Sequence, residues 1–298
     1  MVLSAHLIFN PVAGQSDTQR DLSLICQKLR PSFELVVHET QPQTNITQLA
    51  QQGVEAGADV VIAAGGDGTV SAVAEALVGQ APPLGVIPRG TANAFATALQ
   101  IPREVSPACD FILQGAPQPV DVARCNGQIV LAEIDIGFEA EAREQIDRQT
   151  KSRFGPLAYT IASARQIRRQ GSFQATLETD QDRLQLDAVA IAVANVAPFS
   201  SLLAQGPECI QPQDGLLDIT VVKPSTYLGM ARAIWDLVVS YVRNRPVQSH
   251  AAQCLRSSTL TIVTNPPQKV MLDGDLAGTT AVEIHCIPAG LSVYYPVE

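Results

Sequence analysis

What this chain has little of narrows its function before any motif is read. Its six cysteines, at positions 26, 109, 125, 209, 254 and 286, form no C-x-x-C pair and no zinc-like spacing, so they read as small buried hydrophobes of a reduced compartment. The opening Met1-Val2-Leu3-Ser4-Ala5-His6 has neither the basic region nor the apolar core of a secretory signal. No stretch reaches the roughly 18 uninterrupted apolar residues that a spanning helix needs. Positive charge is scarce: 20 Lys and Arg stand against 29 Asp and Glu, a net charge of −9. That balance argues against nucleic acid as a partner, because phosphate backbones select basic surfaces, and against attachment to an anionic membrane through overall charge. A loose basic group at Arg143, Arg148, Lys151, Arg153, Arg165, Arg168 and Arg169 is interleaved with acids and reads equally well as a solvated helix face. The expectation is a soluble cytoplasmic protein.

What is present describes a compact globular chain, with 46% hydrophobic and 16% charged residues over a length of 298, enough for two domains with separate cores. Strand and helix patterns alternate through the first 120 or so residues. Strands are expected at His6–Phe9, Phe33–Thr40, Asp59–Ala63 and Leu84–Ile87, and helices over Gln15–Leu29, Thr44–Ala56 with Thr44 as cap, from Val70 onward, and over about Ala92–Leu99. This alternation implies a parallel sheet covered on both faces, with ligands at the carboxyl ends of its strands. After about residue 121 the texture changes to β-branched segments: 128–136, 173–179, 184–193, 217–222, 259–263 and 282–287. Only two helical segments interrupt them, near 157–169 and 226–243, so a mostly antiparallel sandwich is expected. The boundaries expected are 1–121 for an α/β nucleotide-binding domain and 122–287 for the sandwich.

The most informative residues are Gly65-Gly66-Asp67-Gly68-Thr69-Val70-Ser71, where an apolar strand turns into a helix. Glycine permits the turn and a close approach of ligand to backbone, and a helix N-terminus offers unpaired N–H groups that suit a phosphate. Asp67 would repel a polyphosphate unless a divalent cation lay between them, which points to metal-bound nucleotide. The chain has no G-x-x-x-x-G-K-[ST], and this turn lacks the G-x-G-x-x-G spacing, which sets aside a P-loop and counts against a dinucleotide fingerprint. Asn10-Pro11 and Pro88-Arg89-Gly90-Thr91 also end strands, so they should share a cleft with the glycine turn.

Three loops taken in order resemble the diacylglycerol kinase catalytic-domain family, which includes bacterial lipid kinases and sphingosine and ceramide kinases. They are Asn10-Pro11-x-Ala13-Gly14, Gly65-Gly66-Asp67-Gly68-Thr69 and Pro88-Arg89-Gly90-Thr91-Ala92-Asn93-x-Phe95-Ala96. The likeness continues through Val120-Asp121-Val122, Gly137-Phe138-Glu139-Ala140, Gly155-Pro156-Leu157-Ala158-Tyr159, Asp214-Gly215-Leu216-Leu217-Asp218 and Asp273-Gly274-Asp275. The resemblance implies an ATP- and Mg2+-dependent lipid kinase with a Rossmann-like N-terminal domain, a β-sandwich C-terminal domain and an active site between them. It also implies that residues 288–298 return to the first domain. Carried over by motif, Asn10, Thr40, Gly65, Gly66, Asp67, Gly68, Thr69, Val70, Ser71, Thr91 and Asn93 would line the ATP site. Asp214 would be the side-chain ligand of a structural magnesium, with the carbonyls of Gln211 and Leu216, an oxygen set that suits a hard cation.

Asp275 and Asp273 are the catalytic candidates, since an acceptor hydroxyl needs a carboxylate to take its proton. Residues two apart point the same way on a strand, so both acids could face the site; a surface turn is the alternative for Asp-Gly-Asp, and a hairpin turn for Asp214-Gly215. The family usually carries glutamate at 275, lysine at 15 and aspartate at 94, where this chain has Asp275, Gln15 and Ala94. Arg89, Arg20 and Lys151 are the candidates to replace the missing lysine charge. The partner implied is a lipid substrate met at the membrane surface by a peripherally bound protein, and a homodimer is compatible with the chain. The apolar helix expected over 226–243 would either cover a sheet or rest Trp235, Tyr227 and Tyr241 at the lipid interface. An NAD kinase-like enzyme and a nucleotide-binding module without catalysis are the competing readings.

Overall fold

A computed structural model describes residues 2–14, 17–137, 172–197, 211–224 and 252–296. The expected helices near 157–169 and 226–243, the basic group from Arg143 to Arg169 and the sole tryptophan, Trp235, lie outside the described residues. The chain divides into two compact units, Met1–Val122 with Ile287–Glu298, and Ala123–Cys286. Among the described residues no helix is long and apolar enough to cross a membrane.

In the first unit β1 (Leu3–Phe9), α1 (Thr18–Leu29), β2 (Phe33–Glu39), α2 (Ile46–Glu55), β3 (Val60–Gly65), α3 (Asp67–Leu77) and β4 (Leu84–Pro88) alternate as expected. Then follow α4 (Ala94–Ala98), α5 (Val105–Gln114) and β5 (Pro117–Cys125), the last running on into the second unit. The sheet is parallel in the order β2-β1-β3-β4. Every residue of β3 and β4 is buried, the signature of strands covered on both faces. The core joins Leu7, Phe9, Val60, Ile62 and Ile87 to Ile25 and Leu29 of α1 and to Ala108, Cys109 and Ile112 of α5.

Three local expectations shift. The first helix starts at Thr18 because Asp17 caps it, accepting from the N–H groups of Gln19 and Arg20; Gln15 and Ser16 lie outside the described residues. The second helix is capped by Asn45, which accepts from the N–H of Gln48, while Thr44 accepts from Gln41 in the preceding turn. Helix α5 escapes the sequence pattern because Pro107 sits inside it, but in the first turn a missing N–H costs no helical bond.

The second unit is a sandwich of antiparallel strands. Its elements are β6 (Gln128–Val130), β7 (Glu133–Ile136), β8 (Phe173–Thr179), β9 (Arg183–Ala188), β10 (Ala190–Ala194), β11 (Leu217–Val222), β12 (Ala252–Ser257), β13 (Thr259–Asn265), β14 (Lys269–Leu272), β15 (Asp275–Thr279) and the start of β16 (Val282–Tyr294). One layer has six strands in the order β12-β11-β10-β7-β14-β15; in the other β16, β13, β8 and β9 are neighbours. Ile134, Ile136, Ile191, Val193, Ile219 and Val221 of the first layer pack with Leu177, Leu260, Ile262 and Ile284 of the second.

The single strand expected over 184–193 is two strands, β9 in one layer and β10 in the other. The chain changes layer at Val189, whose N–H goes to the carbonyl of Val222. Residues 128–136 likewise split at Leu131-Ala132. Conversely, the strand expected over 282–287 does not end there but runs on through the returning segment. Strand β16 is 13 residues long, with residues from 287 belonging to the first unit, where Val293 pairs in parallel with Leu84 of β4.

Candidate active site

In the first unit β1 lies between β2 and β3, so the connections after β1 and after β3 run in opposite directions, which places a crevice at the carboxyl ends of these two strands. Asn10 and Gly65-Gly66 occupy those ends. The N–H of Asn10 donates to the carbonyl of Ala64 at 2.9 Å, and its side-chain amide donates to Thr69 Oγ1 at 2.9 Å. The remaining oxygen of that side chain turns the loop by accepting from the N–H of Val12 at 3.1 Å. Thr40 is buried one strand over, its N–H donating to the carbonyl of Phe9 at 2.8 Å.

The glycines of the turn have separate reasons. A side chain at Gly65 would strike that of Thr69 at 2.5 Å. Gly66 and Gly90 pass backbone against backbone, so a Cβ on Gly90 would come within 2.6 Å of the Gly66 Cα. Gly68, in the first turn of α3, would meet nothing within 4 Å. It is exposed, and its backbone is open to a ligand beside an N-terminal turn of an eleven-residue helix. Val70 is buried and so adds its backbone alone to that face; Ser71 is half-buried and Thr91 exposed.

Asp67, expected from the sequence to face a cation, is engaged by backbone N–H groups. Its Oδ2 accepts from the N–H of Asn93 at 2.9 Å and its Oδ1 from the N–H of Ala94 at 2.6 Å. Asn93 itself holds a left-handed backbone (φ 50°) and closes the 90–93 turn, accepting from the N–H of Gly90 and donating to its carbonyl. The glycine turn and the Pro88–Asn93 loop are therefore one hydrogen-bonded piece. Ala94 contributes its amide to Asp67, for which no side chain is needed.

Arg89, a candidate from the sequence to replace the missing lysine charge, is buried. Its Nε donates to Asp21 Oδ2 at 3.0 Å, its Nη1 donates to the carbonyl of Asn10 at 2.6 Å, and its guanidinium lies 4.4 Å from the centre of the Phe9 ring. Asp21 went unnoticed in the sequence, since nothing local couples a residue of α1 to one 68 positions later. Of the other replacement candidates, Arg20 is exposed on α1 and Lys151 lies outside the described residues.

In the second unit the two acids of Asp273-Gly274-Asp275 do not point the same way. Asp273 and Gly274 have φ of 48° and 96° and make a two-residue turn between β14 and β15, with Leu272 paired to Asp275. The Asp273 carboxylate is drawn into the protein. It accepts from the N–H groups of Leu131, Ala132 and Glu133 at 2.9, 2.7 and 3.1 Å, which is what splits β6 from β7. Burial pushes its pKa up to about 6, against the pull of those three donors, with the nearby Glu133 charge adding to the rise. Asp275 begins the exposed strand β15 and is exposed itself. The expectation that both carboxylates share one face is thus corrected: the turn rotates Asp273 inward and leaves Asp275 exposed.

Asp214 lies in a turn where Gly215 has φ 71°, and its Oδ1 accepts from the N–H of Leu216 at 3.0 Å. Its Oδ2 is 3.4 Å from Arg256 Nη1, and Arg256 Nε donates to the buried Asp218 at 2.8 Å. Among the described residues no group of three or more His, Cys, Asp or Glu gathers as a metal site. The set carried by Gln211, Asp214 and Leu216 is of oxygens alone, and each Asp214 oxygen keeps a second lone pair, so the residues fit a hard cation with one charged ligand. Arg256 was missed in the sequence; it reaches this turn through the pairing of β12 with β11.

Another motif acid is structural. Asp121 is buried at the end of the first unit's own segment, and its Oδ1 accepts from the N–H of Ala289 on the returning strand at 2.7 Å.

Comparison with known proteins agrees with this geometry. The diacylglycerol kinase catalytic domain model matches residues 4–125, and the YegS C-terminal NAD kinase beta sandwich-like domain model matches residues 132–295. The chain is 41% identical over 99% of its length to an uncharacterized protein of Synechocystis sp., covering 71% of that protein. It is 31% identical to a probable lipid kinase YegS-like protein of Xanthomonas euvesicatoria (96% of this chain, 94% of the other) and 26% identical to the diacylglycerol kinase of Bacillus subtilis (99% and 97%). A crystal structure of a diacylglycerol kinase from Bacillus anthracis superimposes with a TM-score of 0.76 at 24% identity, over 98% of this chain and 97% of that one, which shows the shared fold. The chain belongs to the diacylglycerol kinase and YegS-like family of lipid kinases.

Proposed function

We propose that this protein is an ATP- and Mg2+-dependent lipid kinase that phosphorylates a hydroxyl of diacylglycerol or a related lipid. The observation that carries the reading is the hydrogen-bonded strand-end assembly of Asn10, Thr69, Asp67 and Asn93 around the open backbone at Gly68. It leaves N–H groups at the start of α3 for phosphate oxygens and keeps side chains out of their way. Asp275 takes the proton of the acceptor hydroxyl as that oxygen bonds to the γ-phosphorus and the bond to the β-phosphate oxygen breaks, releasing ADP. Asp273 positions the turn that presents Asp275. Gln211, Asp214 and Leu216 would hold a magnesium ion, and a cation with the nucleotide would offset the charge of the phosphates beside Asp67. The lipid is met at a membrane surface to which the protein binds peripherally.

The test incubates the protein with radiolabelled ATP, Mg2+ and, separately, diacylglycerol micelles, a sphingoid base, ceramide and NAD. Label in a lipid is the expected result. Label in NAD alone would establish the NAD kinase-like alternative, and nucleotide binding with no labelled product would mean a module without catalysis.

A further inference from the structure

Arg89 is chemically odd for its place. It follows β4 and its side chain is 1% exposed, yet it carries a full charge matched by one carboxylate, Asp21 of α1. Its third guanidinium nitrogen, Nη2, is buried and has no acceptor among the described residues. Stability does not account for such an arrangement. A buried ion pair can usually be replaced by apolar side chains of similar volume at no loss, and an unmatched buried donor makes the pair poorer still. The guanidinium does have geometry that an apolar side chain lacks. It lies against Phe9, the last residue of β1, binds the carbonyl of Asn10 and the side chain of Asp21, and stands on a backbone whose N–H donates to the carbonyl of Gly65. The guanidinium thus ties the end of β1 to the first turn of α1, while the backbone of the same residue ties the end of β4 to that of β3. Asn10, whose side chain reaches Thr69, is thereby held from behind.

We propose that Arg89, with Asp21, is a positioning pair for the nucleotide site: it fixes the loop after β1 against the glycine turn and touches no phosphate itself. The inference rests on the ATP reading above. A lysine would supply the charge as a single point and could not span Asp21 and the Asn10 carbonyl while lying flat on Phe9.

The decisive variant is the double substitution Arg89→Met with Asp21→Leu, which removes the pair without leaving a lone buried charge. It should melt close to the parent protein, bind a non-hydrolysable ATP analogue with Mg2+ roughly tenfold or more weakly in calorimetry, and raise KM for ATP in step while KM for the lipid stays put. Arg89→Lys should fall between the two. A folded double variant with parental affinity for the analogue would overturn the proposal; should it fail to fold, Asp21→Asn with parental affinity would do the same. If the parent protein does not bind the analogue, the ATP reading fails and this inference falls with it.

Discussion

Asp67 sits in the first turn of one helix while its carboxylate works on the start of another. Both oxygens are engaged by the N–H groups of Asn93 and Ala94, so Asp67→Ala removes a clamp as well as a charge at the proposed nucleotide site. We expect loss of kinase turnover together with a destabilisation of about 1–2 kcal/mol, the size of a lost cap, read by activity and by melting of the same preparation. A folded variant that keeps most of its turnover would remove Asp67 from the site. The two acids at 273 and 275 separate just as cleanly. Asp275→Asn should lower kcat by roughly 10²–10⁴-fold with melting unchanged, and Asp275→Glu should retain activity. Asp273→Asn leaves one acceptor oxygen for three N–H donors, so it should destabilise the protein by about 1–3 kcal/mol. A fully active Asp275→Asn would move the proton acceptor elsewhere.

Within the parallel sheet, β1 and β2 bring two histidines together. His6 Nδ1 and His38 Nε2 are 3.1 Å apart and the rings stack at 5.2 Å between centroids. Burial lowers the pKa of both below the ordinary 6.5, and His38 adds to the fall at His6. Because the folded values lie below the unfolded ones, the stabilisation is present above pH 6.5 and drains away as pH falls through the folded values. Melting temperature should therefore drop between pH 7.5 and 5.5, and drop less in His38→Gln. An equal slope in both would mean that the pair contributes nothing. The same pairing of β1 with β2 also carries Thr40 next to the Asn10 loop, so one register sets both features.

For the molecule as a whole, the two units should respond to pH in opposite senses, since the histidine shifts are downward and the Asp273 shift is upward. The folded pKa of Asp273, about 6, lies above its ordinary 3.8. Its contribution is full below pH 3.8 and is lost as pH rises through about 6. Hydrogen exchange from pH 5 to 7 should show strand β14 and the 131–133 segment losing protection as pH rises while β1 and β2 gain it. Asp273→Asn should abolish the first trend alone. Chelation offers a separate check on the second unit. If Asp214 holds magnesium, EDTA should lower the melting temperature of the parent protein and leave that of Asp214→Asn unmoved; equal effects on both would remove Asp214 from any cation site.

How much of this could be read in advance depends on the range of the interactions. Hydrophobic patterns mark the alternation of the first unit, because an all-buried parallel strand and a one-faced helix differ within a few residues. Ordered loop motifs carry the family and the nucleotide turn for the same reason: each needs glycines or an acid at fixed local spacing. The split of 184–193 is partly legible, since Arg183–Ala188 alternates polar and apolar residues and Ala190–Ala194 is apolar throughout, but which layer each half joins follows from partners far away. Tertiary structure alone decided the inward turn of Asp273, whose donors lie 140–142 residues upstream. It alone turned Arg89 from a candidate replacement for the lysine charge into a buried tie to Asp21, and brought Arg256 to Asp214. Charge and residue type are properties of the sequence, but whether a charge meets solvent, a carboxylate or a backbone amide is settled only when distant segments pack.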